Sequence, residues 1–174
     1  VVEKVISALF IVPSSMLATV SALSAQNLGA GKEKRATDTL RYATVITTIY
    51  GVIVAVLIQF IAENVVGIFT SDTTVVTMGS AYIRSYIWDC IFAGIHFSFS
   101  GYFAACGKSY IGFLHNIISI TFVRVPGSYL ASKYFTDTLY PMGLAAPAGS
   151  LVSVAICVTA FILLKRKSRV AQTV

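Results

Sequence analysis

Apolar residues run through this chain in long unbroken blocks and do not alternate with polar ones. No charge occurs from Val5 to Gly31, from Tyr42 to Ala62 or from Thr138 to Leu164. The stretch Gly51–Ile61 reads GVIVAVLIQFI. A helix that crosses a bilayer needs about 20 mostly apolar residues. With charges taken as boundaries, the pattern predicts five spans: Val5–Leu28, Thr39–Phe69, Met78–Cys106, Tyr110–Ser132 and Met142–Leu164. The third carries Arg84 and Asp89 within it, and the fourth carries Arg124. Membrane strands would alternate over about ten residues. Continuous apolar runs of this length satisfy their backbone in lipid only as helices. The fold class expected is an all-α integral membrane protein. Breakers separate the spans: Gly29-Ala30-Gly31, Thr70-Ser71-Asp72, Gly107-Lys108-Ser109 and Tyr140-Pro141. Gly29 is expected at a helix carboxyl cap, and Asp72 or Ser71 at the start of the next helix.

Composition strengthens the reading. Hydrophobic residues make up 56% of the 174, and charged residues only 11%, against about 25% in soluble proteins. Such a chain could not hide its apolar surface from water. The three cysteines, Cys90, Cys106 and Cys157, fall in or at the ends of apolar spans and form no CxxC or His/Cys cluster. The pattern therefore gives neither a disulfide framework nor a zinc site. The first apolar segment is too long for a signal peptide and lacks a cleavage site. The chain begins with Val, so the amino-terminal part of a longer protein is expected to precede it.

The net charge of +6 changes meaning once it is placed on this topology. If the spans weave in and out, Lys32, Lys34, Arg35, Arg41, Lys108, Lys165, Arg166, Lys167 and Arg169 share one side. Lys133 and Lys4 fall on the other. Basic loops stay in the cytoplasm. The carboxyl terminus and the Gly29–Arg41 loop are therefore expected inside, and the Thr70–Thr77 loop outside. Topology explains the charge, so no nucleic-acid partner is expected.

Candidate chemistry centres on Asp89. It lies eleven residues into the third span, about 15 Å deep at 1.5 Å per residue. A carboxylate at such a depth costs on the order of 3 kcal/mol on insertion scales, and intramembrane acids commonly mark ion or substrate paths. Tyr82, Ser85, Asp89, His96 and Ser100 recur at helical spacing and share one face. That face is read as lining an aqueous cavity. Arg124 sits at a similar depth on the returning span, about 12 Å. An Asp89–Arg124 ion pair is thus the structural alternative to a cation site. Arg84 lies near the external edge and is expected to snorkel. Pro13 and Pro126 are candidate hinges, since a proline removes one helical hydrogen bond. The hydroxyls of Ser14 and Ser15 are expected to satisfy what Pro13 frees. Gly101 and Ala105 form a small-xxx-small pair for close helix contact. Gly29-Ala30-Gly31-Lys32 lacks the spacing of a phosphate loop, and no catalytic constellation is present, so no enzyme is expected.

The ordered set of motifs resembles a known family. Ser24-Ala25-Gln26-Asn27-Leu28-Gly29-Ala30-Gly31-Lys32-Glu33-Lys34-Arg35-Ala36 is similar to a recurrent motif of the multidrug and toxic compound extrusion (MATE) family. Gly107-Lys108-Ser109, Arg124-Val125-Pro126 and Gly143-Leu144-Ala145-Ala146-Pro147 resemble that family's carboxyl-terminal helices. The resemblance implies two six-helix bundles, of which residues 1–174 supply most of the second. It implies a multi-pass plasma-membrane antiporter that exports drugs or organic cations, coupled to sodium or protons, with no cofactor. Asp89 would bind the cation, Tyr82, Ser85, His96 and Ser100 would line the cavity, and Tyr86 and Trp88 would offer aromatic faces. Partners would be the bilayer and the absent amino-terminal bundle; any metal site is unknown. Two alternatives stay open: a lipid-linked oligosaccharide flippase of the same superfamily, and a non-transporting membrane scaffold subunit.

Overall fold

The computed structural model describes the backbone of residues 2–171 and the side chains of residues 2–166. Lys167 and Arg169, expected in the basic tail, lie outside the described side chains. Helix accounts for 88% of the chain, which establishes the all-α membrane class. In order, the elements are α1 (Val2–Leu9), α2 (Ile11–Gly29), α3 (Glu33–Gly67), α4 (Thr73–Tyr86), α5 (Asp89–Ala105), α6 (Ser109–Ser119), a π-helical turn (Ile120–Arg124), α7 (Val125–Tyr134), α8 (Tyr140–Gly143) and α9 (Ala145–Ala171).

Among the described residues, three stretches are long and apolar enough to cross a membrane: Val2–Gly29, Glu33–Gly67 and Tyr140–Arg166. The other two expected spans are helical but interrupted. The third breaks at Ile87-Trp88 into α4 and α5, and the fourth carries the π turn between α6 and α7. Both interruptions lie beside the embedded charges Asp89 and Arg124.

Several boundaries differ from the sequence reading. The second helix begins at Glu33 and not at Thr39. Its first turns carry Lys34, Arg35 and Arg41, because a helix can run past the apolar layer. The external loop expected over Thr70–Thr77 is shorter, since α4 starts at Thr73. Asp72 is its amino-terminal cap: its carboxylate accepts from the backbone N–H of Thr74 at 2.9 Å and Val75 at 3.3 Å. The expected carboxyl-cap at Gly29 belongs to Gly31, whose φ is +71°. Lys32 N–H donates to Asn27 O at 2.8 Å and Gly31 N–H to Leu28 O at 2.9 Å, which is a Schellman closure. Gly107 (φ +69°) repeats it: Lys108 N–H bonds Phe103 O and Gly107 N–H bonds Ala104 O.

Pro13 lies in the first turn of α2, just after the turn at Phe10. With no N–H, it leaves the carbonyl of Leu9, four residues back, without its helical donor. The Tyr50 hydroxyl donates to that carbonyl at 3.0 Å, and the Cys90 thiol approaches it at 4.0 Å. Ser14 and Ser15 instead both donate to Ile11 O. The expected rescue by these serines is therefore replaced by a tertiary one from α3.

Helix α5 is the central element and packs against α2, α3, α6 and α9. It reaches its neighbours through glycine. A Cβ on Gly94 would stand 2.5 Å from Thr47 Cβ of α3, and one on Gly101 would stand 2.5 Å from the Leu17 carbonyl oxygen of α2. On α3, a Cβ on Gly51 would stand 2.8 Å from Ile91 Cα. Gly101 thus makes the close approach expected of it. Val54, Ile58, Val66, Ile83 and Ile87 form one buried apolar cluster. Leu40, Phe99, Phe103, Ile111 and Cys157 form another. The outer surface is apolar as well: Phe60 is 80% exposed, and Ile68, Phe113 and Phe122 are also exposed. This is the inverse of a soluble surface and matches lipid contact.

The turns after α2 and α5 meet the end of α9, where Leu28, Glu33, Cys106, Lys108 and Lys165 line one hollow. The basic segments therefore share one end of the bundle. Near the other end Arg84 pairs with Glu63 at 3.2 Å, so it is salt-bridged where snorkelling alone was expected.

Candidate functional site

Asp89 opens α5 at the break in the third span, and its side chain is 1% exposed. Arg124 closes the π turn and reaches it. Arg124 Nη2 lies 3.2 Å from Asp89 Oδ2 and 3.5 Å from Oδ1. The same nitrogen donates to Ser150 Oγ of α9 at 2.6 Å. Arg124 Nε is buried and has no partner. The pair is therefore held by one guanidinium nitrogen and not by the two-pronged contact of the strongest Arg–carboxylate pairs.

The π turn explains how Arg124 arrives. Val125 N–H donates to Ile120 O, five residues back, which inserts one extra residue into the turn. Pro126 follows at the start of α7 and cannot donate to Phe122 O. The backbone is thus loosened on both sides of the arginine. Gly149 of α9 leaves the space it occupies: a Cβ there would stand 2.5 Å from Arg124 Cγ and 2.8 Å from Ser119 Oγ.

The polar stripe of the third span faces inward, toward α6, the π turn, α8 and α9. Ser85 donates to Tyr82 O at 2.9 Å and packs directly on Gly143 of α8. Tyr82 stacks on Tyr86 with ring centroids 5.5 Å apart, and Phe10 lies 5.9 Å from Tyr86. His96 Nε2 lies 3.4 Å from Ser150 Oγ. Asp89, Arg124, Ser150 and His96 thereby form one buried polar chain. Ser100 sits apart from it, bonded to His115 of α6 at 2.9 Å. Tyr82 and Ser85 lie on α4, across the break, and make no hydrogen bond to Asp89. His96 and Ser100 line a cavity; the lining of that cavity does not include Asp89. Trp88 is partly exposed beside the break.

Sequence reasoning missed Ser150, Ser119 and His115. Ser150 lies in the charge-free fifth span, where nothing marks it out. His115 had a usable signal. Ser100 and His115 flank Gly107 at nearly equal sequence distance, so a hairpin turning there brings them face to face. Among the described residues no group of three or more His, Cys, Asp or Glu side chains is placed to hold a metal ion.

An all-α bundle with an apolar exterior and a buried, singly held ion pair defines a polytopic membrane protein that keeps charge within the bilayer. Charge kept there is costly and is commonly functional. The chain belongs to the MatE family, whose sequence profile matches residues 1–130. It is 29% identical over 147 residues to Protein DETOXIFICATION 14 of Arabidopsis thaliana. That match covers 84% of this chain and 30% of the relative, so the chain spans under a third of that protein's length. No solved structure matches.

Proposed function

We propose that residues 1–174 form most of the carboxyl-terminal bundle of a cation-coupled antiporter that exports drugs or organic cations by alternating access. Membership of the MatE family supports transport, and the printed name of the plant relative agrees with detoxification by export. The observation that carries the reading is Asp89, a buried carboxylate neutralised by one nitrogen of Arg124. Arg124 is itself 29% exposed, so it has room to withdraw. A sodium ion, a proton or an organic cation then competes with Arg124 for the same carboxylate. Binding the cation releases the guanidinium, and releasing the cation restores the pair.

The stacked Tyr82 and Tyr86 and the partly exposed Trp88 supply aromatic faces for an organic cation. Ser85, His96 and Ser100 extend the polar face away from the acid. Pro13 and Pro126, each beside a helix irregularity, serve as hinges while this bundle rocks against an amino-terminal partner bundle. The shared basic end supports a cytoplasmic carboxyl terminus, as the positive-inside rule would have it, in a protein of the plasma membrane. One bundle supplies half a cleft, so the chain does not transport by itself.

The scaffold reading has one observation in its favour, the ion pair itself, since Asp89 and Arg124 also join α5 to the π turn. The test separates the two. Full-length protein carrying Asp89→Asn is compared with the native form for efflux of a fluorescent organic cation under imposed sodium and proton gradients. Loss of efflux at normal membrane expression supports coupling through Asp89. Unchanged efflux refutes it and leaves the acid a structural partner.

A further inference from the structure

The hollow at the basic end of the bundle gathers charge from separate parts of the chain. Lys108 enters it from the turn after α5 and Lys165 from the end of α9, and Thr37 and Tyr102 add hydroxyls. Its volume is about 180 Å³. The Lys165 ammonium lies over the Phe161 ring, 5.0 Å from its centroid, a cation–π contact that keeps the charge beside the hollow. Glu33 is the one acid in the lining. Among the described residues no salt bridge joins it to either lysine. Two helices also begin here. α3 starts after Lys32 and α6 after Lys108, and neither cap residue supplies a side-chain hydrogen bond. The first backbone N–H groups and the positive dipole ends of both helices favour an anion at this end.

The positive-inside tendency accounts for cations at this end. It does not account for a groove that leads away from them along α9. Phe161 and Lys165 also line a second hollow, about 230 Å³, completed by Ile162 and Arg166. Further back, Ala155, Thr159 and Leu163 line a third, about 390 Å³ and almost wholly apolar. The Thr159 hydroxyl donates to Ala155 O at 2.8 Å, so its polar atom is spent on its own helix. Residues 155, 159, 162, 163 and 166 fall on one face at helical spacing, and Ile162 and Leu163 are exposed. From Ala155 to Lys165 is ten residues, about 15 Å along the axis. That is half of a hydrocarbon core about 30 Å thick. One strip of helix surface thus runs from apolar to cationic over the depth of one leaflet.

We propose that this end of the bundle binds an anionic phospholipid, with the headgroup phosphate held by Lys108, Lys165 and Arg166 and one acyl chain laid along α9 toward Ala155. Basic pockets between membrane helices are recognised seats for such headgroups. A free phosphate would satisfy the cations and leave the groove uncovered. A neutral lipid would cover the groove and leave the cations unanswered. A phospholipid with net negative charge meets both. Bound there, it ties the turn after α5 to the end of α9, two segments that the chain itself joins only through α6, α7 and α8. The site requires a protein in a bilayer and nothing more, so it does not rest on the antiporter reading.

The test is native mass spectrometry of the full-length protein, titrated in detergent with dioleoylphosphatidylglycerol or dioleoylphosphatidylcholine. The two lipids share acyl chains and differ in net charge. The native form is expected to retain phosphatidylglycerol the more tightly. Lys108→Gln combined with Lys165→Gln is expected to weaken that binding about 25-fold, at about fivefold for each charge. Lys133→Gln, in the last turn of α7 at the other end of the bundle, is expected to leave it unchanged. Ala155→Trp fills the groove, keeps every cation and is expected to weaken binding as well. Both altered surfaces are exposed to lipid or water, and an unchanged thermal midpoint shows that each variant is folded. Equal retention of the two lipids overturns the proposal, as does native-like binding by the double lysine variant. Native-like binding by Ala155→Trp, or displacement of the lipid by millimolar inorganic phosphate, assigns the cations to a phosphate alone and overturns it too.

Discussion

Tyr50→Phe removes one oxygen atom, and the structure says what that oxygen holds. The Leu9 carbonyl loses its helical donor to Pro13 and takes the Tyr50 hydroxyl in its place at 3.0 Å. Without it, only the Cys90 thiol remains, at 4.0 Å, and a thiol is a weak donor. Leaving a buried acceptor unsatisfied costs about 1–3 kcal/mol. The residual thiol contact and the partial burial put this case at the lower end, about 1–2 kcal/mol. The same substitution is expected to be nearly silent in a Pro13→Ala background. There the restored backbone N–H bonds Leu9 O along the helix and the hydroxyl is redundant. The assay is a double-mutant cycle on the full-length protein, with all four forms unfolded by denaturing detergent from mixed micelles. A coupling of about 1 kcal/mol is expected between the two sites, well above the roughly 0.3–0.5 kcal/mol found for independent positions. If Tyr50→Phe costs the same with and without the proline, the carbonyl is not what the tyrosine serves, and the reasoning fails.

Arg124→Gln strands a buried carboxylate and is expected to destabilise by about 3–5 kcal/mol, whereas adding Asp89→Asn recovers most of that loss; equal stability of the single and double variants in the same unfolding assay would count against the pair. Gly31→Ala and Gly107→Ala each force a side chain into left-handed backbone, at about 1–2 kcal/mol apiece, measured as a drop in thermal midpoint. An unchanged midpoint would show that neither turn needs its glycine.

The long spans could be read from sequence because an apolar block of this length has one solution in a bilayer. Their ends were less legible. Glu33–Arg41 is charged and still helical, since a charged turn beyond the apolar layer costs nothing in water. The ion pair was within reach of depth arithmetic: Asp89 and Arg124 stood at similar levels on neighbouring antiparallel spans, and they meet at 3.2 Å. The single-nitrogen character of the contact was not, because it depends on the π turn at Ile120–Arg124 and on the room left by Gly149. Neither feature leaves a mark in hydropathy. The polar stripe from Tyr82 to Ser100 was visible as a face, but what it faces depends on α6, α8 and α9. His115 escaped notice because its meaning appears only when the chain is folded back at Gly107. Pro13 announced a missing hydrogen bond, yet its replacement came from a tyrosine 37 positions further along the chain.

The glycine contacts of α5 carry a mechanical consequence. Where Gly94 meets Thr47 and Gly101 meets the Leu17 carbonyl, backbone lies almost against neighbouring atoms, with no long side chain between them to swing. Surfaces in such contact slide poorly, so α2, α3 and α5 behave as one block. On the far side, the first half of α5 meets α6, the π turn and α9 through hydroxyls, imidazoles and a guanidinium, which can exchange partners one at a time, while Phe99 and Phe103 further along pack on Ile111 and Cys157. A load applied to this bundle therefore divides unevenly: the glycine side transmits it, and the polar side yields.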